Sequence, residues 1–393
     1  MTVTTMGPGP GQLRFTQTFI QGLQGAKPAQ PFDLAALVEQ ARAAMTPEGF
    51  DYVAGGAGAE TTIDANRAAL DAVKIVPRML RDVSSRDLTV SLFGRTLPAP
   101  FLLAPIGVQE LAHPEADLAT ARAAAGVGVP MIFSNQASVP METTAAAMGD
   151  GPRAFQLYWT KSDALARSFV ERAEACGCEA IFVTLDTTML GWRVRDLNHG
   201  YLPFLHGLGI AQYTSDPVFR DLLAEPPEQN RMAAAALFTQ IYSDPTLDWA
   251  KLKQIRSWTR LPIVLKGIQH PDDAMRAVDE GWDGIVVSNH GGRQVDGAVG
   301  SAATLAACAA VARGRIKVLF DSGVRTGADV FKALALGADA VLLGRPYVYG
   351  LAAGGQAGVE AVIANLIAEF DLTLGLAGLR KAADIDRKAV QTA

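Results

Sequence analysis

The sequence has few cysteines, few histidines and no excess of basic residues, and each shortage argues against a class of protein. Of its 393 residues, three are cysteines and five are histidines. Cys176 and Cys178 match neither a zinc spacing nor a C-x-x-C redox motif, and no second pair exists, so we expect no metal site. The formal net charge of −5 argues against nucleic acid as a partner.

Long apolar runs are also missing. No stretch of about 18 apolar residues is free of charges and chain breakers, so we expect no membrane span. Residues 1–11 are rich in Thr, Gly and Pro and lack the basic segment and apolar core of a signal peptide. The three thiols suit a reduced compartment. We therefore expect a soluble, cytoplasmic protein.

The N-terminal part shows only local order. Residues 1–30 have no periodicity, and we expect them to run over the surface. Residues 33–45 have the apolar spacing of an amphipathic helix capped by Asp33. A second helix begins at Thr46-Pro47 and leads to Tyr52 and a glycine cluster at 55–58, which we expect to stop it.

From Phe101 onward, short apolar runs alternate with Ala-rich amphipathic segments. This alternation indicates βαβ units with a parallel sheet. Eight strands over about 250 residues favour a closed (β/α)8 TIM barrel, an α/β fold, over an open sheet. The predicted strands are Phe101–Ala104, Met131–Phe133, Ala154–Leu157, Ala180–Leu185, Ile263–Lys266, Gly284–Ser288, Val318–Phe320 and Ala340–Leu343, and the helices between them are Glu115–Ala125, Met141–Met148, Asp163–Ala175, Asp272–Glu280, Ala302–Ala312 and Ala328–Leu336.

Three segments follow from this pattern. Residues 1–98 form an N-terminal extension with helices that pack on the barrel, residues 99–375 form the barrel, and residues 376–393 form a C-terminal tail. The segment after the fourth strand is too long for one loop and one helix. Because long loops in compact domains are usually lids or disordered, we expect a lid at about residues 197–245.

Catalytic groups of such barrels lie at the carboxyl ends of the strands. The sixth predicted strand runs into Ser-Asn-His-Gly-Gly-Arg-Gln, residues 288–294. His290 can take up a proton near neutral pH, and the planar fork of Arg293 fits a carboxylate. The pair indicates a substrate that is a carboxylic acid with a removable proton. The alternative is a surface loop with a chance histidine.

The seventh and eighth strand ends suggest a phosphate site. Gly323 and Gly344 let backbone N–H groups approach an anion, Arg325 and Arg345 add positive charge, and helix N-termini follow. Barrels often bind phosphate at these two strands. Ordinary turn glycines with surface arginines are the alternative.

Two more charged residues end apolar strands. Lys266 needs an anionic partner if it faces the barrel mouth, because burying it unpaired costs several kcal/mol. It could form a Schiff base or face a cofactor that becomes negative on reduction. Asp186 is either a helix cap or a carboxylate that orients His290 and stabilises its protonated form.

Four segments resemble the FMN-dependent α-hydroxy-acid oxidases and dehydrogenases: Leu265–Gly267, residues 288–294, Phe320–Arg325 and Leu343–Pro346. The resemblance covers about residues 31–375. Within the family, five further segments are most similar to the lactate 2-monooxygenases. One of them contains Gly107, which agrees with those enzymes, whereas lactate oxidases usually have Ala at this position. The five segments are Tyr52–Gly56, Val76–Leu80, Ala104–Val108, Leu190–Leu197 and the insert at 203–219.

This resemblance implies the roles of the site residues. FMN would lie across the barrel mouth, with Lys266 at the N1/O2 edge of its ring. The other cofactor-binding residues would be Pro105, Ile106, Gly107, Ser134, Gln156, Thr184, Ser288, Asp321, Gly323, Arg325, Gly344 and Arg345. The substrate carboxylate would bind Tyr52, Arg193 and Arg293. Tyr158 would reach the hydroxyl or carboxylate, and His290, backed by Asp186, would be the base.

The resemblance further implies oxidation of L-lactate, or a similar small L-2-hydroxy acid, by O2. Coupled decarboxylation would give acetate, CO2 and water. The alternatives are an oxidase that releases pyruvate and H2O2, a quinone-linked dehydrogenase, a Lys266 Schiff-base aldolase and a non-catalytic flavin-binding protein. A homotetramer is expected by resemblance only. The lid histidines His199 and His206 have no assigned role.

Overall fold

The computed structural model describes residues 9–392. Eight parallel strands form a closed barrel in which each strand pairs with the next and the last pairs with the first. The predicted barrel is therefore confirmed, and every predicted strand lies within two residues of its position in the structure. The strands are β1 (Phe101–Leu103), β2 (Met131–Phe133), β3 (Arg153–Tyr158), β4 (Ile181–Thr184), β5 (Ile263–Ile268), β6 (Gly284–Val287), β7 (Lys317–Phe320) and β8 (Ala340–Leu343).

The barrel strands are apolar throughout because both of their faces are buried. Alternate residues such as Ile132, Phe182 and Val264 form a small core inside the barrel. Their neighbours, such as Phe133 and Val183, pack outward against the surrounding helices. Near-continuous apolar runs are typical of parallel strands covered on both sides.

The helices that were predicted also agree with the structure to within two residues. Four helices precede the barrel: α1 (Pro10–Leu23), α2 (Leu34–Ala44), α3 (Pro47–Ala54) and α4 (Thr61–Ala72). Those between strands or after them are α5 (Ala116–Val127), α6 (Met141–Met148), α7 (Asp163–Ala175), α8 (Val194–His199), α9 (Ala211–Thr214), α10 (Pro217–Asp221), α11 (Arg231–Ile241), α12 (Trp249–Leu252), α13 (Pro271–Asp279), α14 (Ser301–Ala312), α15 (Gly327–Ala335) and α16 (Arg345–Leu376), which is interrupted at Gly354–Gly355.

The N-terminal part differs from the prediction in one respect. The prediction that residues 1–30 have no regular structure is wrong for Pro10–Leu23, because these residues form α1 and pack on α16. Residues 1–8 lie outside the described part. The large apolar residues of α1 are at least 48% exposed and do not hold it: Leu13, Phe15, Phe19, Ile20 and Leu23. The helix is attached to α16 by hydrogen bonds from Arg14 to Asn365 and from the Gly11 N–H to Asp371. The Asp33 cap of α2 is confirmed, since its carboxylate accepts the N–H groups of Ala35 and Ala36. The glycine cluster ends α3 at Gly55, as expected.

The amino end of the barrel is closed by an antiparallel hairpin, Val90–Leu92 with Arg95–Leu97. Leu92 and Leu97 join the inner core of the barrel. This end is therefore filled by packed side chains, and the large cavity of the structure lies at the opposite, carboxyl end.

The insert after β4 is a packed unit of short helices, α8 to α11 with a 3-10 turn at Pro203–His206. Its aromatic residues Phe204, Tyr213, Phe219 and Phe238 are each at most 3% exposed and contact one another. A long segment such as this one was expected to be either a lid or disordered, and the buried aromatic packing excludes disorder.

Among residues 9–392, no helix combines the length and apolarity that crossing a membrane requires. A short antiparallel pair, Val73–Ile75 with Val390–Thr392, joins the end of α4 to the last residues described. The proposed boundaries at 98/99 and 375/376 remain predictions.

We expect Asp371 to be the most sensitive attachment point of the N-terminal part. Its fully buried carboxylate accepts hydrogen bonds from Nε of Arg86 at 2.5 Å and from Nη2 of Arg86 at 2.9 Å. It also accepts the backbone N–H of Gly11. Asp371→Ala leaves Arg86 without its partner and should lower the free energy of unfolding by about 3–5 kcal/mol. Urea denaturation of the purified protein measures this loss.

Glu171→Ala is the matched control. It removes the partner of Arg167 in an ion pair whose side chains are 58% and 51% exposed, so the loss should stay below about 1 kcal/mol. Equal losses for the two variants would contradict the role of burial.

Candidate active site

A layer of polar side chains lies at the carboxyl end of the barrel. Because side chains alternate along a strand, the residue two positions after an inner-core residue faces inward again. Applied to Ile132, Ala154, Phe182, Val264, Val286, Leu319 and Leu342 of the inner core, this rule gives Ser134, Gln156, Thr184, Lys266, Ser288, Asp321 and Gly344. Strand periodicity thus places most of the predicted cofactor residues in one layer.

Above this layer is a cavity of about 1060 Å³. Most predicted site residues line it: Tyr52, Pro105, Ile106, Gly107, Tyr158, Thr184, Arg193, Lys266, His290, Arg293, Asp321, Gly323, Arg325, Gly344 and Arg345. Four do not line it, namely Ser134, Gln156, Asp186 and Ser288. Each of the four has a hydrogen bond to a neighbouring residue of the barrel mouth: Asp186 to His290, Ser288 to Lys266, Ser134 to Gln136 and Gln156 to Asn135.

His290 and Asp186 form a hydrogen-bonded pair. The Asp186 carboxylate lies 2.8 Å from Nδ1 of the imidazole, and Nε2 lies 3.5 Å from the Tyr158 hydroxyl. Burial lowers the pKa of His290 although Asp186 opposes this effect, so the ring is neutral at neutral pH. Burial alone would raise the pKa of Asp186, but His290 and Lys266 hold it below its usual value. Nε2 is therefore placed to accept a proton, and Asp186 to stabilise the resulting imidazolium.

Two backbone features hold this pair in place. His290 has a φ of +59°, a left-handed conformation unusual for a residue with a side chain. Gly267 has a φ of +108°, and a Cβ added there would lie 2.8 Å from the Asp186 carboxyl carbon. Position 267 must therefore be glycine for Asp186 to approach His290 across β5.

Lys266 has the anionic partner that its position requires. Its Nζ lies 3.0 Å from the Asp321 carboxylate and donates to the Ser288 hydroxyl at 2.9 Å. Burial alone would lower the pKa of Lys266, but Asp321 and Asp186 raise it. The amine therefore stays protonated, which disfavours the Schiff-base alternative because that chemistry needs a neutral amine.

Arg193 and Arg293 bring positive charge to the cavity, and neither has a carboxylate in hydrogen-bond contact among residues 9–392. Arg193 donates to the Arg293 carbonyl and to Gln294, at 3.4 and 3.2 Å. Burial and the charge of Arg193 lower the pKa of Arg293 to about 9, so Arg293 is still charged at neutral pH. The Arg293 guanidinium also lies over the Tyr52 ring, 5.1 Å from its centre. Two guanidinium groups and a buried phenol on one cavity are suited to a carboxylate.

The carbonyl end of α3 holds Arg293 and Arg345. Arg293 donates to the carbonyls of Tyr52 and Gly55, and Arg345 donates to those of Val53 and Gly55. These carbonyls are the unpaired, partially negative groups of a helix C-terminus. Arg345 also donates to the Gly291 carbonyl beside the base. Its guanidinium therefore fixes α3 and the histidine loop, a role that the sequence did not suggest.

Three of the residues predicted to bind a phosphate line the cavity: Gly323, Arg325 and Gly344. Arg325 makes no side-chain hydrogen bond within residues 9–392, whereas Arg67 binds the Gly323 carbonyl and Asp329. Asp329 accepts the backbone N–H groups of Arg325 and Thr326, so the unengaged Arg325 guanidinium is the charged donor that suits a phosphate here.

Unpaired buried polar atoms mark where a ligand would bind. Nε2 of Gln156 and the Thr184 hydroxyl are buried, and neither has a hydrogen-bond partner in the described structure. Both lie in the polar layer, beside protonated Lys266. A flat ring with polar edges and a phosphate-bearing chain would satisfy these donors and the loop at Gly323. The residues present therefore fit FMN.

Several residues of the site were not predicted. Asn289 exchanges hydrogen bonds with Asn66, and its side chain also accepts the Gly292 N–H, which fixes the histidine turn. Gln294 donates to the carbonyls of Asp186 and Met189. Both belong to the motif at 288–294, so the sequence pointed to the segment but not to these contacts.

The insert is joined to the rim of the cavity by ion pairs. Arg195 contacts Asp51 at 3.1 Å and Glu60 at 2.6 Å, and His199 contacts Asp51 at 2.8 Å. The two contacts with Asp51 link α8 to α3, the helix that carries Tyr52, and the contact with Glu60 links it to the start of α4. His199 thereby acquires a structural role, whereas His206 stacks on Tyr201.

A sequence model of the family described as FMN-dependent dehydrogenase matches residues 41–392. The L-lactate oxidase of Lysinibacillus sphaericus is 43% identical over 350 residues, covering 88% of this chain and 90% of that protein. The 4-hydroxymandelate oxidase of Amycolatopsis orientalis is 43% identical over 345 residues, covering 88% and 94%. A crystal structure of mandelate oxidase matches with a TM-score of 0.82 at 40% identity, over 93% of this chain and 99% of the other.

Asp186→Asn should lower the pKa of His290 further. The substitution removes the negative charge that favours the imidazolium, while burial, which disfavours it, remains. The ring should then stay neutral to lower pH than in the native protein. Histidine ring resonances followed by NMR during a pH titration measure the change.

Thr187→Val provides the comparison, because it removes only a hydroxyl 3.3 Å from the same nitrogen. Its effect on the pKa should be smaller. A pKa of His290 that stays the same or rises in Asp186→Asn would show that the carboxylate does not set the proton affinity of the base.

Proposed function

The chain belongs to the FMN-dependent dehydrogenase family, and on this premise we propose that it oxidises L-lactate, or a similarly small L-2-hydroxy acid, with O2 and decarboxylates the product in place. FMN-dependent oxidation of 2-hydroxy acids is the activity common to the family and its oxidase relatives. The observation that carries the proposal is the arrangement of one neutral base and two charged guanidinium groups on a single cavity.

The proposed division of work follows from the contacts. Arg193, Arg293 and the Tyr52 hydroxyl bind the substrate carboxylate. This leaves the substrate hydroxyl near Nε2 of His290 and the hydroxyl of Tyr158, which are 3.5 Å apart. His290 takes a proton, and Asp186 stabilises the imidazolium. The proton comes from either the α-carbon or the hydroxyl.

When bound, FMN accepts two electrons from the alcohol carbon and passes them to O2. The residues proposed for its ring are Pro105, Ile106, Gly107, Ser134, Gln156, Thr184, Ser288 and Asp321, with protonated Lys266 beside the edge that gains negative charge. Those proposed for its phosphate are Gly323, Arg325 and Gly344, with Arg345 behind them. The unpaired donors of Gln156 and Thr184 support this placement.

The overall reaction balances in two steps. Lactate and O2 give pyruvate and H2O2; pyruvate and H2O2, if they stay together, give acetate, CO2 and water. Two features support retention of pyruvate: the insert is tied to α3 by Arg195 and His199, and Arg193 lies one residue before α8 in that insert.

The second candidate is an oxidase that releases pyruvate and H2O2. The 43% identity to an L-lactate oxidase favours it. Transfer of electrons to a quinone remains a further alternative within the family. A homotetramer and a cytoplasmic location remain proposals, the latter resting on three free thiols.

We expect the purified protein to be yellow and to lose its visible absorbance with L-lactate in the absence of oxygen. With oxygen and catalase present, acetate and CO2 should exceed pyruvate, because decarboxylation occurs before peroxide can escape. Product analysis by NMR measures the ratio. A product that is mainly pyruvate would establish the oxidase, and absorbance unchanged by any 2-hydroxy acid would refute both.

His290→Asn should reduce the rate of anaerobic flavin reduction by about 10²- to 10⁴-fold, the usual contribution of a general base. Asn tolerates the left-handed backbone of this position but cannot act as the base. The yellow colour should remain, since His290 is not proposed to hold FMN. His270→Gln, at an exposed helix cap, is the control and should keep the native rate; a variant at 290 with more than a tenth of that rate would exclude His290 as the base.

A further inference from the structure

Tyr213 connects the core of the insert to the wall of the barrel mouth. It lies in α9, is fully buried, and packs edge-on against Phe169, Phe219 and Phe238 with ring centres 4.9, 5.6 and 4.7 Å away. Its hydroxyl donates to the side-chain oxygen of Asn135 at 3.2 Å. A buried phenol in an otherwise apolar cluster therefore uses its one polar atom on a residue at the end of β2.

Asn135 is also hydrogen-bonded to two residues of the site. Its side-chain oxygen also accepts the backbone N–H of Tyr158, and its own backbone N–H donates to Oε1 of Gln156, both at 3.2 Å. Asn135 is itself fully buried. One asparagine thus links the insert to the ends of β2 and β3.

The orientation of the Gln156 amide follows from this bond. Because Oε1 accepts the Asn135 N–H, Nε2 has to point away from it, and this nitrogen is the buried donor that lacks a partner. A rotated amide would present an acceptor instead. The direction of the Gln156 donor is therefore set by the position of the Asn135 backbone.

We propose that Tyr213 and Asn135 are positioning residues for the reaction: the Tyr213 hydroxyl fixes Asn135, which fixes the Gln156 donor toward the cofactor and the backbone of Tyr158 toward the substrate. The proposal rests on the FMN site proposed above. On this proposal, α9 of the insert is a fixed support for residues that would bind the cofactor, in addition to any role of the insert as a lid.

The attachment of the insert does not depend on this hydroxyl. The neighbouring Gln212 donates to the carbonyls of Ser134 and Val139 and accepts the Met141 N–H at 3.0 Å. Ala211 also donates to the Ala137 carbonyl. Removing the hydroxyl should therefore leave α9 in place and change only the Asn135 contact.

Tyr213→Phe in the FMN-loaded enzyme tests the proposal. We expect a shifted visible absorbance spectrum of the bound flavin and a three- to tenfold lower limiting rate of anaerobic reduction, with less than a twofold change in the apparent affinity for the substrate. That fold-change corresponds to losing one net hydrogen bond. In an Asn135→Ala background, the same substitution should have no further effect on spectrum or rate.

Phe238→Leu is the matched control, because it loosens the same aromatic cluster without touching Asn135. It should lower the unfolding temperature and leave the flavin spectrum native. The proposal is overturned if Tyr213→Phe keeps the native spectrum and reduction rate, or if Phe238→Leu reproduces its spectral shift. The flavin spectrum is recorded without substrate. A native protein that binds FMN but is not reduced by lactate would therefore refute the proposed function, while the spectra of Tyr213→Phe and Phe238→Leu would still decide the positioning role of Tyr213.

Discussion

The site depends on buried positive charge held by backbone carbonyls instead of carboxylates. Arg293 and Arg345 donate to the free carbonyls at the end of α3. Partial charges on carbonyls orient a guanidinium without neutralising it. A carboxylate from the protein would have neutralised it and competed with an anionic ligand. The short helix Pro47–Ala54 therefore keeps Arg293 available to a substrate anion and also supplies Tyr52.

A second group of charges, on the strand ends, is internally paired. Asp186 bonds to His290 and Asp321 to Lys266. Each pair has a stable protonation state, with a neutral imidazole and a charged amine. The separation matters for chemistry, because His290 stays neutral and can accept a proton while Lys266 stays charged. Gly267 permits it by letting Asp186 approach across β5.

The insert contributes contacts at two places on the same cavity. Its first helix is tied to Asp51 of α3 and to Glu60, just before α4, by ion pairs that are partly exposed. In contrast, α9 is tied to the end of β2 by buried hydrogen bonds. Buried hydrogen bonds are costly to break, whereas exposed ion pairs are weak. Any opening of the insert should therefore begin at α8 and leave α9 in place.

The sequence by itself determined the barrel and the layer of polar strand ends, because strand alternation and helix periodicity are local properties that survive without knowledge of neighbours. It also identified His290, Arg293, Lys266 and Asp186, which stand at the ends of recognisable strands. Only the tertiary structure decided which partners they have: Asp321 for Lys266, the α3 carbonyls for Arg293 and Arg345, and Asn135 for Tyr213. These contacts join residues from 55 positions apart, for Lys266 and Asp321, to 292 positions apart, for Arg345 and Val53, and α1 likewise packs on the distant α16. Such pairings depend on how the closed barrel and the insert bring distant segments together, which no local pattern encodes.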